Sequence, residues 1–368
     1  MARAARAVES LVINKKFWQG KKILVTGHTG FKGSWLCFWL KQLGADITGY
    51  ALESNTEPSL FNLLQLSKSI NHHIADIRDI NKLKEIVTKT KPEIILHMAA
   101  QPLVRLSYKD PVETYSTNVM GTVNILEAVR AVNTVKVFIN VTTDKCYENK
   151  ERLWNYKENE PLGGYDPYSS SKACSELVTG AYRNSFFNTK DINNHKTAIS
   201  SARAGNVIGG GDWSEDRLIP DAIRSILNKQ TLTIRNPKAI RPWQHVLESL
   251  SGYLKLAEQM WEYPQKFSTA WNFGPDENDC QTVENVLNIL NEELTQKITL
   301  QHDNTTQPHE AKFLKLDTAK AKNLLHWQPN WNLKTALNKT ATWYQTWLKN
   351  GDMREITLRQ INEYMEKL

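Results

Sequence analysis

Tyr168 and Lys172, in the stretch GGYDPYSSSK, lie four residues apart, a spacing that puts both on one face of a helix. Pro167 suits the first helical position and Asp166 the cap before it, so the helix starts there. A lysine one turn from a phenol lowers the phenol's pKa by placing a positive charge near the phenolate. Such a pair takes a proton from a sugar hydroxyl at neutral pH while a nicotinamide accepts the hydride. Thr143, closing the apolar run KVFINVTT, can hydrogen-bond the same hydroxyl. The next two residues, Asp144 and Lys145, set an acid and an ammonium side by side just past that strand.

A nicotinamide needs a dinucleotide site, and VTGHTGFKG supplies one. Gly27, Gly30 and Gly33 follow G-x-x-G-x-x-G between the first strand and the first helix. One glycine makes the tight turn, one lets backbone approach a pyrophosphate, and one lets helix pack on strand. The helix N-terminus then offers N–H groups to the anion. Dinucleotide loops often pair with an acid at the end of the second strand; here GYALESNT has Tyr50 and Ala51 there, and Glu53 slightly late. That departure leaves NAD and NADP both open, although no arginine cluster follows to grip a 2′-phosphate, which favours NAD. Asp76-Ile77, ending the third strand, receives the adenine edge, or Asp76 caps the next helix.

These residues must be positioned by alternating elements. Apolar runs at 22–27, 45–52, 71–77, 93–100, 136–143 and 197–209 read as buried strands, with helical periodicity at 31–43, 79–89, 111–131 and 167–185. Strand then helix, repeated, predicts an α/β fold: a doubly wound parallel Rossmann sheet with ligands at the strands' carboxyl ends. After about residue 205 the alternation stops. Helices at 217–228, 246–261, 281–296, 318–325 and 333–349, with strand-like pieces at 231–235, 298–301 and 312–316, predict a smaller, mostly helical C-terminal substrate lobe. The expected division is an extension of unknown use over 1–18, a dinucleotide-binding domain over 19–205 to which some later segments return, and a mainly nucleotide-sugar-binding lobe over 206–368.

Composition narrows the function. The 368 residues carry 46 Lys and Arg against 39 Asp and Glu, a net charge of +7. The basic residues are scattered among acids, which fits anionic small-molecule ligands and not nucleic acid. No run of about 18 apolar residues is present, so no membrane span is expected, and residues 1–18 lack the apolar block of a secretory signal. Cys37, Cys146, Cys174 and Cys280 form no CxxC pair, which suggests reduced thiols in a cytoplasm and no metal site.

From residue 20 nearly to its end the chain resembles the extended short-chain dehydrogenase/reductase family of NAD-dependent epimerases and dehydratases. The resemblance rests on FWQGKKILVTGHTGFKGSWL, HMAAQPLVRLSY, YSTNVMGTVN, TTDKCYEN, GGYDPYSSSK, RAGNVIGGGDW, IRPWQHVLE and WNFGP. It implies a hydro-lyase acting on a nucleotide sugar, CDP-glucose, with the cytosine and the glucose resting on the resemblance alone. Hydride removal from C4 would make a ketone that acidifies the C5 proton. A base takes that proton, an acid protonates the C6 hydroxyl, and water leaves. The hydride then returns to C6 and a proton to C5, so the cofactor stays on the enzyme.

Asp144 is carried over as the acid. Related sugar-nucleotide dehydratases have Asp-Glu here, so Lys145 departs from the wider pattern; it is the C5 base if its pKa is depressed, or it stabilises the enolate. The resemblance also implies cofactor contacts from Thr29, Phe31 and Lys32 in the loop, from Ala99, Ala100 and Gln101, and from Asn118 and Thr142, beside Tyr168 and Lys172. Substrate contacts are expected from Gln101, Ser107, Asn206, Arg217, Arg241, His309 and Glu310, with Arg241 placed against phosphate. Trp243 lies near the nucleotide or, like most of the twelve tryptophans, in the core.

The alternatives are another nucleotide-sugar dehydratase, a 4-epimerase, or a non-catalytic NAD(P)-binding protein. An epimerase has no need of Asp144-Lys145, and a silent binder has no need of Thr143, Tyr168 and Lys172. The family implies a homodimer through helices 111–131 and 167–185, or a homotetramer. It also implies a CDP-4-keto-6-deoxyglucose product that feeds 3,6-dideoxyhexose synthesis for a lipopolysaccharide O-antigen.

Overall fold

The computed structural model describes residues 13–152, 154–303 and 313–368. Its strands, in chain order, are β1 (Lys22–Thr26), β2 (Asp46–Ala51), β3 (Asn71–Ile74), β4 (Ile94–His97), β5 (Val137–Val141), β6 (Ala198–Ala204), β7 (Asn206–Ile208), β8 (Leu232–Ile234), β9 (Ile240–His245), β10 (Ala270–Phe273), β11 (Cys280–Thr282) and β12 (Leu300–His302). Seven of them form one parallel sheet in the order β10-β6-β5-β4-β1-β2-β3. The main helices are α1 (Phe31–Gln42), α2 (Ile80–Thr90), α3 (Gly121–Arg130), α4 (Pro167–Ser185), α5 (Leu218–Leu227), α6 (Val246–Glu262), α7 (Val283–Glu293), α8 (Leu333–Leu348) and α9 (Met353–Met365).

The two-residue period of each strand divides its side chains between two cores. Leu24, Ile95, Phe138 and Ile199 face one side with Leu83 and Ile86 of α2 and Ile125 and Val129 of α3. Val25, Leu96, Ile139 and Ala198 face the other, with Trp35 and Leu36 of α1 and Leu250 and Leu254 of α6. Both faces are covered, so β4 and β5 are buried along their whole lengths, as parallel strands are. The chain reverses its winding between β1 and β4, which opens a crevice at their carboxyl ends.

Several elements differ from the expected ones. The run 197–209 is two strands, because the chain bends at Gly205 and β7 leaves to pair with β9 in a three-stranded sheet with β11. A Cβ at Gly205 would stand 2.5 Å from Pro242, so only glycine fits the bend. The helix expected over 111–131 contains a π turn at Ser116–Met120. Segment 313–316 makes isolated bridges to Tyr156 and Ile240 instead of a strand. β10, β9 and α9 carry no matching expectation. β10 completes the main sheet, and α6 packs on β5 and β6.

At the N-terminus, Asn14 caps a four-residue helix, Lys15–Trp18. Trp18 is fully buried and donates to Glu258 of α6 at 2.6 Å. Ile13, Phe17 and Trp18 thus pack on the core. Trp35, Trp39, Trp271, Trp327 and Trp343 are also fully buried, whereas Trp154 is exposed.

Candidate active site

A cleft of about 690 Å³ runs along the carboxyl ends of the strands and under β7, β8 and β9. Its floor begins at the glycine loop. Gly27 has φ +75°, and a Cβ there would meet the Ala99 backbone at 2.8 Å. A Cβ on Gly33 would lie 2.2 Å from the Gly27 carbonyl, so glycine alone lets α1 start against the turn. Gly30 is different: its Cβ would meet just the Gly27 oxygen, at 3.5 Å, and face the cleft. No side chain caps α1, whose first turn carries Phe31, Lys32 and Gly33 along the cleft wall. Thr29 donates to the Leu52 carbonyl at 2.8 Å. The Lys32 ammonium donates to Tyr253 of α6 at 2.8 Å; burial, then the Lys172 and Arg217 cations, lower its pKa to about 7, while Asp144 opposes them.

Beyond β2 and β3, Glu53, Asp76 and Ile77 line the cleft. The next helix is capped by Asp79, and not by Asp76. Asp76 instead accepts from the Arg78 backbone and guanidinium, which hold its carboxyl below the usual range. Ala99, Ala100 and Gln101 line the wall after β4. Two expected contacts fall behind it. Asn118 is buried and brackets the Gln101 backbone, accepting from its N–H at 2.8 Å and donating to its carbonyl at 3.0 Å. Ser107 is fully buried and donates to Val104. Neither lines the cleft.

After β5 come Thr142 and Thr143, then one 3₁₀ turn, Asp144–Cys146. Thr143 accepts from the Lys145 N–H at 3.3 Å and donates to Asp144 Oδ1 at 3.0 Å. The Asp144 side chain is 1% exposed, with Lys145 Nζ 3.7 Å from Oδ1. Its Oδ2 is buried without a hydrogen-bond partner. Asp166 caps α4 by accepting from the Ser169 N–H at 2.9 Å, and Pro167 opens the helix. Tyr168 and Lys172 then face the cleft beside Thr143.

The electrostatics differ from the sequence expectation. Burial pushes the Tyr168 phenol up to about 12, against a hydrogen bond with Thr143 and the Arg217 charge, which pull it down. The Lys172 ammonium donates to the Val141 carbonyl at 3.1 Å, and burial lowers its pKa to about 8, partly offset by Glu176.

Asn206, Arg217, Arg241 and Trp243 line the far part of the cleft. Asn206 Oδ1 is buried without a partner. Arg217 pairs with Asp212 at 2.8 Å. Arg241, 4% exposed, donates to the Ile240 carbonyl at 3.0 Å, and Trp243 to the Gln281 carbonyl. His309 and Glu310 lie outside the described residues. The structure adds residues that spacing alone did not flag: Arg105 and Arg235 at the mouth, both paired with Asp216, and Glu176 behind Lys172. Glu176 follows Lys172 by four residues, and that repeat of the Tyr168–Lys172 interval is the signal that would have found it.

Residues 24–340 match the GDP-mannose 4,6 dehydratase family. The chain belongs to that family. The family match spans the glycine loop, Thr143 to Lys145, Tyr168, Lys172 and Arg241, the whole floor of the cleft. A family relative, the CDP-glucose 4,6-dehydratase of Salmonella typhimurium, is 52% identical over 354 residues, covering 96% of this chain and 99% of the relative. Among solved structures, the fold is similar to a UDP-glucuronic acid 4-epimerase from Bacillus cereus in complex with UDP-glucuronic acid and NAD (TM-score 0.76, 23% identity, 89% and 99% of the two chains). It is also similar to a dTDP-glucose 4,6-dehydratase from Bacillus anthracis in complex with NAD (TM-score 0.71, 22% identity, 91% and 100%). At these identities the two structures speak for the fold alone.

Proposed function

We propose that this chain is an NAD-dependent CDP-glucose 4,6-dehydratase, a hydro-lyase that makes CDP-4-keto-6-deoxyglucose and water. The observation that carries the reading is the buried Asp144 carboxyl, one oxygen unpartnered, beside Thr143, Tyr168 and Lys172 in a chain 52% identical to an enzyme of that name. The open face of Gly30 and the uncapped start of α1 fit a dinucleotide's diphosphate, with Phe31 and Lys32 beside it. Ile77, Ala99, Ala100 and Thr142 would line the rest of that site, with Glu53 near the adenosine ribose. When bound there, NAD would supply the hydride acceptor for C4 and the hydride donor for C6.

Tyr168 takes the proton of the C4 hydroxyl, with Thr143 bonded to the same oxygen and Lys172 holding positive charge below. Asp144 delivers a proton to the departing C6 hydroxyl. Lys145 serves C5, as the base or as the cation on the developing enolate. Asn206, Arg217 and Arg241 bind the diphosphate and ribose, Arg217 at the end nearer Tyr168. Asn118 and Ser107 act from behind the wall, Asn118 by fixing Gln101.

Two copies pair through the exposed apolar side chains of the α3 and α4 region, among them Val112, Met120 and Leu177. Among the described residues no helix is long and apolar enough to cross a membrane, and the four cysteines are unpaired, which suits a reducing cytoplasm.

The test is to incubate the purified protein with CDP-, UDP-, dTDP- and GDP-glucose in deuterated water. The expected result is a 4-keto product with deuterium at C5 from the CDP sugar above the others. A 4-epimer without C5 deuterium would overturn it.

A further inference from the structure

We propose that Tyr147 is a positioning residue for the elimination step, holding the Asp144–Lys145 turn in place from behind the cleft; this rests on assigning that pair to the elimination. The turn is a single 3₁₀ turn of three residues, Asp144–Cys146. So short a piece has no stability of its own and takes its shape from its surroundings. Tyr147 is the next residue and is fully buried. Its hydroxyl donates to Asn272 Oδ1 at 2.7 Å and accepts from Arg203 Nη1 at 2.8 Å. Its ring stacks on Tyr156 with centroids 5.2 Å apart, and the Arg203 guanidinium lies over it at 4.9 Å.

Each partner is itself fixed. Arg203, on β6, makes a forked pair with Glu176 at 2.9 and 3.0 Å. Glu176 stands on α4 one turn beyond Lys172, which stands one turn beyond Tyr168. Asn272, on β10, donates to the Tyr156 and Asp317 carbonyls at 2.9 and 3.1 Å. The hydroxyl of Tyr147 therefore joins the acid–base turn to β6, β10 and, through the ion pair, to α4. The surrounding small core of Cys146, Tyr156, Ala173, Leu314 and Leu316 is apolar enough for a phenylalanine ring, so what the hydroxyl adds is direction.

The two halves of the chemistry depend on this joint unequally. Tyr168 and Lys172 sit on α4 itself, a helix of 19 residues with its own cap and packing. Asp144 and Lys145 have the short turn and what anchors its far end. Loss of the Tyr147 hydroxyl should therefore misplace the dehydration pair and spare the oxidation pair.

The experiment compares wild type with Tyr147→Phe on two substrates. CDP-glucose reports the full reaction. CDP-xylose has no C6 hydroxyl, so it can be oxidised at C4 but cannot lose water, and it reports oxidation through cofactor absorbance. The expected result is a fall of about tenfold in CDP-glucose turnover with CDP-xylose oxidation within about twofold of wild type, since a misplacement of about 1 Å costs up to about a hundredfold. Both rates are read on one sample, so their ratio is independent of the folded fraction. Arg203→Lys, which keeps the charge facing Glu176 but loses the fork, should give the same split if the phenylalanine variant is insoluble. Equal losses on both substrates, or no loss on either, would overturn the proposal. Wild-type protein inert toward both CDP sugars would instead remove the dehydratase reading and this inference with it.

Discussion

The proposed dehydration rests on Asp144, and its adjacency to Thr143 is visible in the chain. What the chain does not show is that its Oδ2 is buried and unpartnered while Lys145 stands 3.7 Å from Oδ1. A carboxyl so placed gives a proton to a hydroxyl far better than an amide does. Asp144→Asn is therefore expected to slow water loss about a hundredfold and C4 oxidation less than tenfold, measured by product formation against cofactor reduction in single turnovers. Equal loss in both steps would remove its assigned role. For Lys172 the helical spacing was legible, but the burial of both side chains was not. Burial is the largest influence on both members of the pair, raising Tyr168 to about 12 and lowering Lys172 to about 8. The lysine's charge is present below that value and lost above it. The rate should accordingly fall as pH rises through about 8, a limb that a pH–rate profile of kcat/KM on CDP-glucose would show.

At the scale of elements, the glycine loop was legible as a tight strand-to-helix turn because its glycines obey a steric rule local to the turn. The structure sorts their duties. Gly33 is needed by the fold, since a Cβ would stand 2.2 Å from the Gly27 oxygen; Gly30 is free of such a clash. Gly33→Ala should destabilise the protein by about 1–3 kcal/mol in thermal or urea melts. Gly30→Ala should melt like wild type, within about 0.5 kcal/mol, but bind NAD at least tenfold more weakly by calorimetry, because its methyl fills the cradle. Wild-type NAD affinity in Gly30→Ala would mean the diphosphate lies elsewhere. β9 was not legible as a strand. Pro242 in its middle speaks against one, and only its pairing with β7 and β11 makes it the centre of a small sheet.

Over the whole molecule, the chain's second half does more than form a lobe. β10 closes the edge of the main sheet, and α6 lies across β5 and β6 with Glu248 and Glu258 buried in it. Burial pushes both carboxyls up to about 7, against hydrogen bonds from Tyr364, Trp331 and Asn330 to Glu248, and from Trp18 and Asn14 to Glu258. A folded pKa above the unfolded value of 4.5 means that the folded chain holds the proton more tightly. The resulting stability is fully present below pH 4.5 and is lost as pH rises through about 7, up to about 3 kcal/mol for each carboxyl. Glu258→Gln cannot titrate. Its melting temperature relative to wild type should therefore climb between pH 5 and 7.5, and a constant difference across that range would show that Glu258 does not hold a proton in the folded state.

The sequence by itself determined the parallel sheet, the glycine turn after β1 and the shared helix face of Tyr168 and Lys172, whereas the roles expected of Asp144 and Lys145 came from the family resemblance. The first three follow from rules of short range: alternating apolar runs, glycine sterics at a turn, and a helical interval of four. Tertiary structure decided which expected contacts reach the cleft and which stand behind it, as Ser107 and Asn118 do. It also decided which way burial drives Tyr168 and Lys172, and that a buried ion pair from Glu176 to Arg203 meets the Tyr147 hydroxyl just past the Asp144–Cys146 turn. Desolvation and long-range hydrogen bonds depend on what packs from distant parts of the chain, and no local pattern encodes them.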